Sequence, residues 1–228
     1  LGTTDKLSYT DNTASTGYIY FYKVVAVSKV RTSANSEAST VISAVSRCAQ
    51  TVAKSSFNST TGKPVISWTA VSGAKKYEVY RAGTRNGSYK LLGTTDKLSY
   101  TDNTASTGYT YFYKVVAVSK VRAAANSEAS AVISAVSHCA KPAVTASFNS
   151  KGQPHLQWTA VPGAARYEIY RATSKDGEYK LMYSVKGTSY SNTSAKSGKT
   201  YYYKVKAVSK VRSNANSAFS AVMRVTAK

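Results

Sequence analysis

Cysteine and histidine are almost absent from this chain. The two cysteines, Cys48 and Cys139, stand 91 residues apart at equivalent places, in "RCAQ" and "HCAK". One cysteine per repeat differs from a disulfide framework and from any C-x-x-C metal site. The two histidines, His138 and His155, are near no plausible catalytic serine or acidic partner in sequence, and the repeat copies do not share them, so nothing marks out a Ser-His-Asp arrangement. Glycine-rich phosphate loops are missing, since "GTRNG" and "SKDG" read as turns between strands. No apolar run approaches ~18 residues, so no membrane insertion is expected. No long stretch has helical spacing. Acidic residues are scarce as well: 10 Asp and Glu face 31 Lys and Arg, a formal net charge of +21. That balance points to polyanionic surroundings, or to solubility through self-repulsion.

What is present is repetition. Residues 1–50 match residues 92–141 at 44 of 50 positions. The six changes are Ile19 to Thr110, Thr32 to Ala123, Ser33 to Ala124, Thr40 to Ala131, Arg47 to His138 and Gln50 to Lys141. A third, more diverged copy runs from Met182 to the end. The upstream part repeats too, with "GKPVISWTAVSGAKKYEVYRAGTRNGSYKLL" answered by "GQPHLQWTAVPGAARYEIYRATSKDGEYKLM". The period, 90 or 91 residues, is too long for a solenoid repeat and suits a small autonomous domain. The expected organisation is a half-unit over 1–47 and two complete units over 48–138 and 139–228. The chain reads as a piece of a longer array.

Each unit is expected to be all-β. Short alternating runs are punctuated by Gly, Pro, Asn and Ser every 8–12 residues. "PVISW" (64–68) and "KYEVYR" (76–81) alternate. "YTYFYKVVAV" (109–118) is the longest predicted strand, with Tyr111, Tyr113, Val115 and Ala117 on one face. "EASAVISAVS" (128–137) is predicted to close the unit. About seven short strands in such a unit read as a two-sheet antiparallel sandwich.

The units resemble the fibronectin type III domains found in tandem in large bacterial secreted and surface proteins. The matching residues are Trp68 and Trp158, "YEVYR" and "YEIYR", "SYTD" and "SYSN", and "TGYTYFYKVVAV" and "SGKTYYYKVKAV". The resemblance covers the whole chain. It implies an elongated array of seven-stranded immunoglobulin-like sandwiches, an extracellular or cell-surface bacterial location, and no catalytic role. It also implies a tyrosine corner at Tyr20, Tyr111 and Tyr201, where the phenol bonds back to the backbone. Within that topology residues 1–47 hold only the later strands of a sandwich, and the face carrying Tyr9, Tyr20, Tyr22 and Val24 should lie open. Either an upstream segment or another chain would order it, including self-association through 1–47.

Basic residues are the most informative polar feature. "SKVR" recurs as Lys29/Arg31, Lys120/Arg122 and Lys210/Arg212. The resemblance places Lys75 and Lys76 at the pole of Lys120 and Arg122, and Arg166 beside Lys210 and Arg212. Tyr80, Phe112, Tyr170 and Tyr202 fall on outward faces by alternation. Such a cluster can bind an anionic polymer (teichoic acid, anionic glycan, extracellular DNA), or form an ordinary solvated face. The same pole would lie near the cysteines, where cations favour a thiolate. The alternative for Cys48 and Cys139 is burial at the unit junction. Asp5, Asp11, Asp96 and Asp102 could ligate calcium, but the last copy has Lys186 and Asn192 at the places of Asp96 and Asp102, so Asx-type turns are the better expectation. The expected roles are therefore a spacer or adhesion module held among other domains of one protein, with anionic-polymer binding as the alternative and no cofactor.

Overall fold

The computed structural model describes residues 1–228. It is an all-β chain of sixteen strands and three short 3-10 turns. Strands β1 (Ile19–Tyr22) and β2 (Ile42–Val45) pair alone in a two-stranded sheet. Next come β3 (Ala53–Phe57), β4 (Pro64–Trp68), β5 (Ala74–Ala82), β6 (Lys90–Thr95), β7 (Ser99–Thr101), β8 (Thr110–Ser119) and β9 (Ile133–Val136). They form two sheets, β3-β4-β7 and β6-β5-β8-β9. The same order repeats in β10 (Val144–Phe148), β11 (Pro154–Trp158), β12 (Ala164–Ala172), β13 (Lys180–Val185), β14 (Ser189–Ser191), β15 (Thr200–Ser209) and β16 (Met223–Thr226). No helix is long and apolar enough to cross a membrane.

Alternation builds both cores. Ile66 and Trp68 of β4 meet Tyr77 and Val79 of β5 and Tyr113, Val115 and Ala117 of β8. Leu156, Trp158, Tyr167, Ile169, Tyr203, Val205 and Ala207 do the same in the later unit. Burying one such aliphatic or aromatic side chain contributes about 1.5–3 kcal/mol. Each tryptophan lies against a core tyrosine, with ring centroids 5.2 Å apart for Trp68–Tyr77 and 5.3 Å for Trp158–Tyr167. The tyrosine corner is present three times. Ser15, Ser106 and Lys196 each donate a backbone N–H to the hydroxyl five residues ahead, on Tyr20, Tyr111 and Tyr201, at 2.9, 3.2 and 3.1 Å.

The closing strand differs from its sequence reading. Only Ile133–Val136 pair as β9, whereas 128–132 leave the ladder. Serine side chains take over there. Ser127 Oγ accepts from Ala117 N–H at 2.8 Å and Ser130 Oγ from Val115 N–H at 3.0 Å. Ser217 and Ser220 repeat both bonds on Ala207 and Val205. A buried N–H left without an acceptor costs about 1–3 kcal/mol. Ser130→Ala is therefore expected to lower the stability of the β3–β9 unit by that amount, read from its urea midpoint.

Residues 1–47 keep the same serine bonds, with Ala26 and Val24 N–H donating to Ser36 and Ser39 Oγ, but not the same strands. β8 runs ten residues because β5 pairs along Phe112–Ser119. β1 runs four, and residues 23–28 carry no strand. Val24 is 64% exposed, while its counterparts Val115 and Val205 are at 0%. Tyr9 is exposed as well, whereas Tyr20 and Tyr22 are half-buried. The Tyr20 hydroxyl accepts from Ser15, and that of Tyr22 donates to Asp11.

Candidate functional site at the unit junctions

The recurring "SKVR" sits in the loop after β8 and after β15, and its shape is set locally. Asn126 Oδ1 accepts from Ser119 N–H at 2.9 Å, and Ser119 Oγ accepts from Val121 N–H at 3.1 Å. Asn216, Ser209 and Val211 repeat this at 2.9 and 3.2 Å, and Asn35, Ser28 and Val30 at 2.8 and 3.2 Å. The loop presents its valine outward. A backbone bond from Lys120 N–H to Gly73 O (2.9 Å), and from Lys210 N–H to Gly163 O (3.0 Å), fixes it to the turn before β5 or β12. That bond gathers Lys75 and Lys76 with Lys120, and Arg166 with Lys210, at one end of each unit. Lys29, Arg31, Lys75, Lys120, Arg122, Arg166, Lys210 and Arg212 are exposed, and Lys76 is half-buried. Arg166 is partly neutralised by Glu168, 3.3 Å away. The first copy, Lys29 and Arg31, lies with residues 1–47, apart from these two ends.

The valines of the loop meet the preceding unit. Val121 lies on the turn at Gly17, and Val211 on the turn at Gly108. A Cβ on Gly108 would stand 2.6 Å from both Val211 Cβ and Cγ2, and φ there is +90°. Both the close approach and the left-handed backbone require glycine. The neighbouring Thr107 packs on Gly163, and Thr16 on Gly73, where a Cβ would come within 2.7 Å of the threonine methyl. Arg212 Nη1 donates to Thr110 Oγ1 at 2.8 Å across the second junction. Arg122 has no such bond because Ile19 stands where Thr110 does. At the first junction Arg47 pairs instead with Glu128 at 2.6 Å, and Gln50 donates to Ala129 O. Thus the motif singled out for its charge contributes its Ser, Val and one Arg to coupling successive units end to end.

His138 and the cysteines belong to the same zone. The His138 ring stacks on Phe57 with centroids 3.9 Å apart, and its Nδ1 lies 3.1 Å from Asn216 O. Lys141 N–H donates to Thr60 O at 2.9 Å. Cys48 and Cys139 are free and buried in the two cores. Burial pushes both thiols up, so the cationic pole does not make thiolates of them. His155 is less isolated than the sequence indicates, since its Nδ1 is 2.8 Å from Ser191 Oγ on the neighbouring strand. No carboxylate bonds that histidine, and Val65 and Thr101 hold the equivalent pair of positions in the other unit. Tyr80, Phe112, Tyr170 and Tyr202 are half-buried. Tyr80 and Tyr170 donate to Glu78 and Glu168, and Tyr170 also meets Phe219 edge-on. Those two rings are thereby tied to groups of their own units.

The aspartates at the start of "DNT" are structural, each in its own way. Asp102 is fully buried. Its Oδ2 accepts from Arg81 Nη1 and Tyr113 Oη, both at 2.8 Å, and its Oδ1 from Thr104 N–H and Oγ1 at 3.0 and 2.8 Å. Burial pushes its carboxyl up, but the bonds from Arg81, Thr104 and Tyr113 outweigh that and hold it below the ordinary carboxylate value. Burial and the bond to Asp102 push the Tyr113 phenol up. Asn192 occupies the same place in the later unit, where its Nδ2 donates to Tyr203 Oη at 2.7 Å. Asp11 keeps Thr13 and Tyr22 but has no arginine. The oxygens of Asp102 are thus committed to protein donors, the arrangement of an Asx turn plus an ion pair.

Three strands against four, repeated in tandem with a tyrosine corner in each copy, define an immunoglobulin-like sandwich of the fibronectin type III kind. Among solved structures the chain is similar to an Fn3-like protein from Clostridium thermocellum, at 32% identity over 39% of this chain and 92% of that one, with a TM-score of 0.35. It is similar to the FN1–FN3 domains of chicken CNTN1, at 17% identity over 91% and 78% of the two chains, with a TM-score of 0.35. A two-domain fibronectin type III segment of chicken tenascin gives 14% identity, 77% and 98% coverage, and a TM-score of 0.46. No protein-family model and no curated protein matches the chain.

Proposed function

We propose that this chain is a non-catalytic spacer, a run of fibronectin type III-like units over 1–47, 48–138 and 139–228 that sets the distance and direction between other parts of a multidomain extracellular protein. The observation that carries it is the use of the repeated loop. Val121 and Val211, with Thr16 and Thr107 reciprocating, are spent on holding unit to unit rather than on a ligand. A spacer needs that kind of contact, since side chains interlocked at a short junction restrict bending. The bacterial and cell-surface setting rests on the resemblance of the repeats and is part of the proposal.

A second reading is favoured by one feature, the gathering of Lys75, Lys76 and Lys120 at one pole and of Arg166 and Lys210 at another. Several such clusters on one chain would hold an anionic polymer by avidity. A salt series with DNA, teichoic acid and a neutral glycan separates the two. The spacer reading expects weak binding to every polyanion alike, lost by ~150 mM salt. Polymer-selective binding that survives this salt, and disappears when Lys75, Lys76, Lys120, Arg166 and Lys210 are changed to Ser, would make the chain an adhesion module instead.

A further inference from the structure

Arg81 and Lys90 stand directly opposite each other where β5 pairs with β6. Residues opposed in an antiparallel pair point to the same face, and like charges there repel. Arg171 and Lys180 repeat this rung between β12 and β13. Each rung has one carboxylate for its two cations, but a different one. In the β3–β9 unit Asp102 takes Arg81 at 2.8 Å, and no carboxylate pairs with Lys90. In the β10–β16 unit Asn192 stands in place of Asp102, and Glu178 lies 3.8 Å from Lys180. Glu178 holds the position of Ser88, and Thr173 that of Gly83.

A concavity of 280 Å³ opens beside Gly83 and Ser88, with Arg81, Lys90 and Tyr111 also in its wall. Small-molecule sites run from about 300 Å³ upward, so this one suits a single small group. The Arg81 guanidinium lies 4.7 Å from the centroid of the Tyr111 ring. It donates to protein acceptors through Nη1 alone, which leaves its Nε and Nη2 hydrogens for a ligand. Lys90 and Ser88 are exposed. We infer that this concavity binds a small carboxylate, held by Lys90 and the uncommitted N–H groups of Arg81, with Ser88 Oγ as a further donor. Ion-paired hydrogen bonds of that kind are the strong ones. The β10–β16 unit supplies the precedent, since its own Glu178 carries a carboxylate to the same lysine position. The inference is independent of the spacer reading, and its residues are separate from the loop clusters at the junctions.

The test follows amide shifts of the full chain during titration with sodium glucuronate, with ionic strength held constant by sodium chloride. Acetate serves as the bare carboxylate and glucose as the uncharged sugar. Saturable shifts are expected at Gly83, Ser88, Leu91 and Leu92, and none at Thr173, Glu178, Leu181 and Met182. Acetate should shift the same amides, and glucose should shift none. Tighter binding of glucuronate than of acetate would assign the site to a sugar acid, and equal binding to a carboxylate from any source. Lys90→Gln should weaken glucuronate at least ~10-fold, the scale of a charge-assisted hydrogen bond. Ser88→Glu should do the same, by supplying the carboxylate from within the chain. Both positions are exposed, so an unchanged urea midpoint verifies that each variant folds. The inference is overturned if shifts grow linearly at lysines throughout the chain without saturating, if glucose matches glucuronate, or if either variant binds as the unchanged chain does.

Discussion

Replacing Asp102 by Ala is expected to cost the β3–β9 unit about 3–5 kcal/mol, the range for removing one partner of a buried ion pair, and to leave the β10–β16 unit unchanged. The loss is large against a typical domain stability of about 5–15 kcal/mol. It arises because Arg81, Thr104 and Tyr113 all donate to this one carboxylate. Asp102→Asn should cost less, since Asn192 shows that an amide can sit against the tyrosine hydroxyl by donating to it. The pH dependence follows from the direction of the shift. The folded Asp102 carboxyl is held below its ordinary value of 3.8. Its stabilisation is therefore complete above that value and drains as pH falls through the lower, folded one. Acid should open the β3–β9 unit before the β10–β16 unit, and Asp102→Asn should remove most of that difference. Amide exchange resolved for β4 and β11 across a pH series reads both. Equal acid sensitivity of the two units in the unchanged chain would refute the assignment.

The second large effect is expected at the junction. Val211→Asp should leave the β10–β16 unit folded, because Val211 lies in a loop and is 42% exposed. It should nevertheless uncouple that unit from its neighbour, by placing a charge against the Gly108 turn. Gly108→Ala attacks the same contact from the other side. A residue forced to φ +90° carries about 1–3 kcal/mol of strain, and its Cβ would also strike Val211. Both variants should also free Arg212 from Thr110, with faster amide exchange along the 106–110 turn as the readout.

Much of the fold was legible in the sequence because it rests on period-two alternation. The runs at 64–68, 76–81 and 109–118 became β4, β5 and β8 almost residue for residue, and the tyrosine corners fell where the resemblance put them. The closing strand was misread for a definite reason. Alternation in "EASAVISAVS" continues through 128–132, but Ser127 and Ser130 satisfy the neighbouring backbone with side chains, and hydropathy does not register that exchange.

The junctions were half legible. Charge made "SKVR" conspicuous, yet the contact belongs to its valine and to the glycine of "STGY", which look like filler and an ordinary turn. One signal was available: the junctions "AVSRCAQTVAKS" and "AVSHCAKPAVTAS" hold no Gly-rich linker, which keeps the loops of successive units close together. The bond from Arg81 to Asp102 joins residues 21 apart, one on β5 and the other just after β7 in the opposite sheet, and spacing alone could not bring them together.

The most direct measurement of the central claim is a set of residual dipolar couplings for the β3–β9 and β10–β16 units of the full chain in one weakly aligned sample. If the repeated loops hold the units together, one alignment tensor will fit both units, and Val211→Asp will split it into two of different magnitude. Two independent tensors in the unchanged chain would contradict the account, leaving the valine and glycine contacts without a role in coupling.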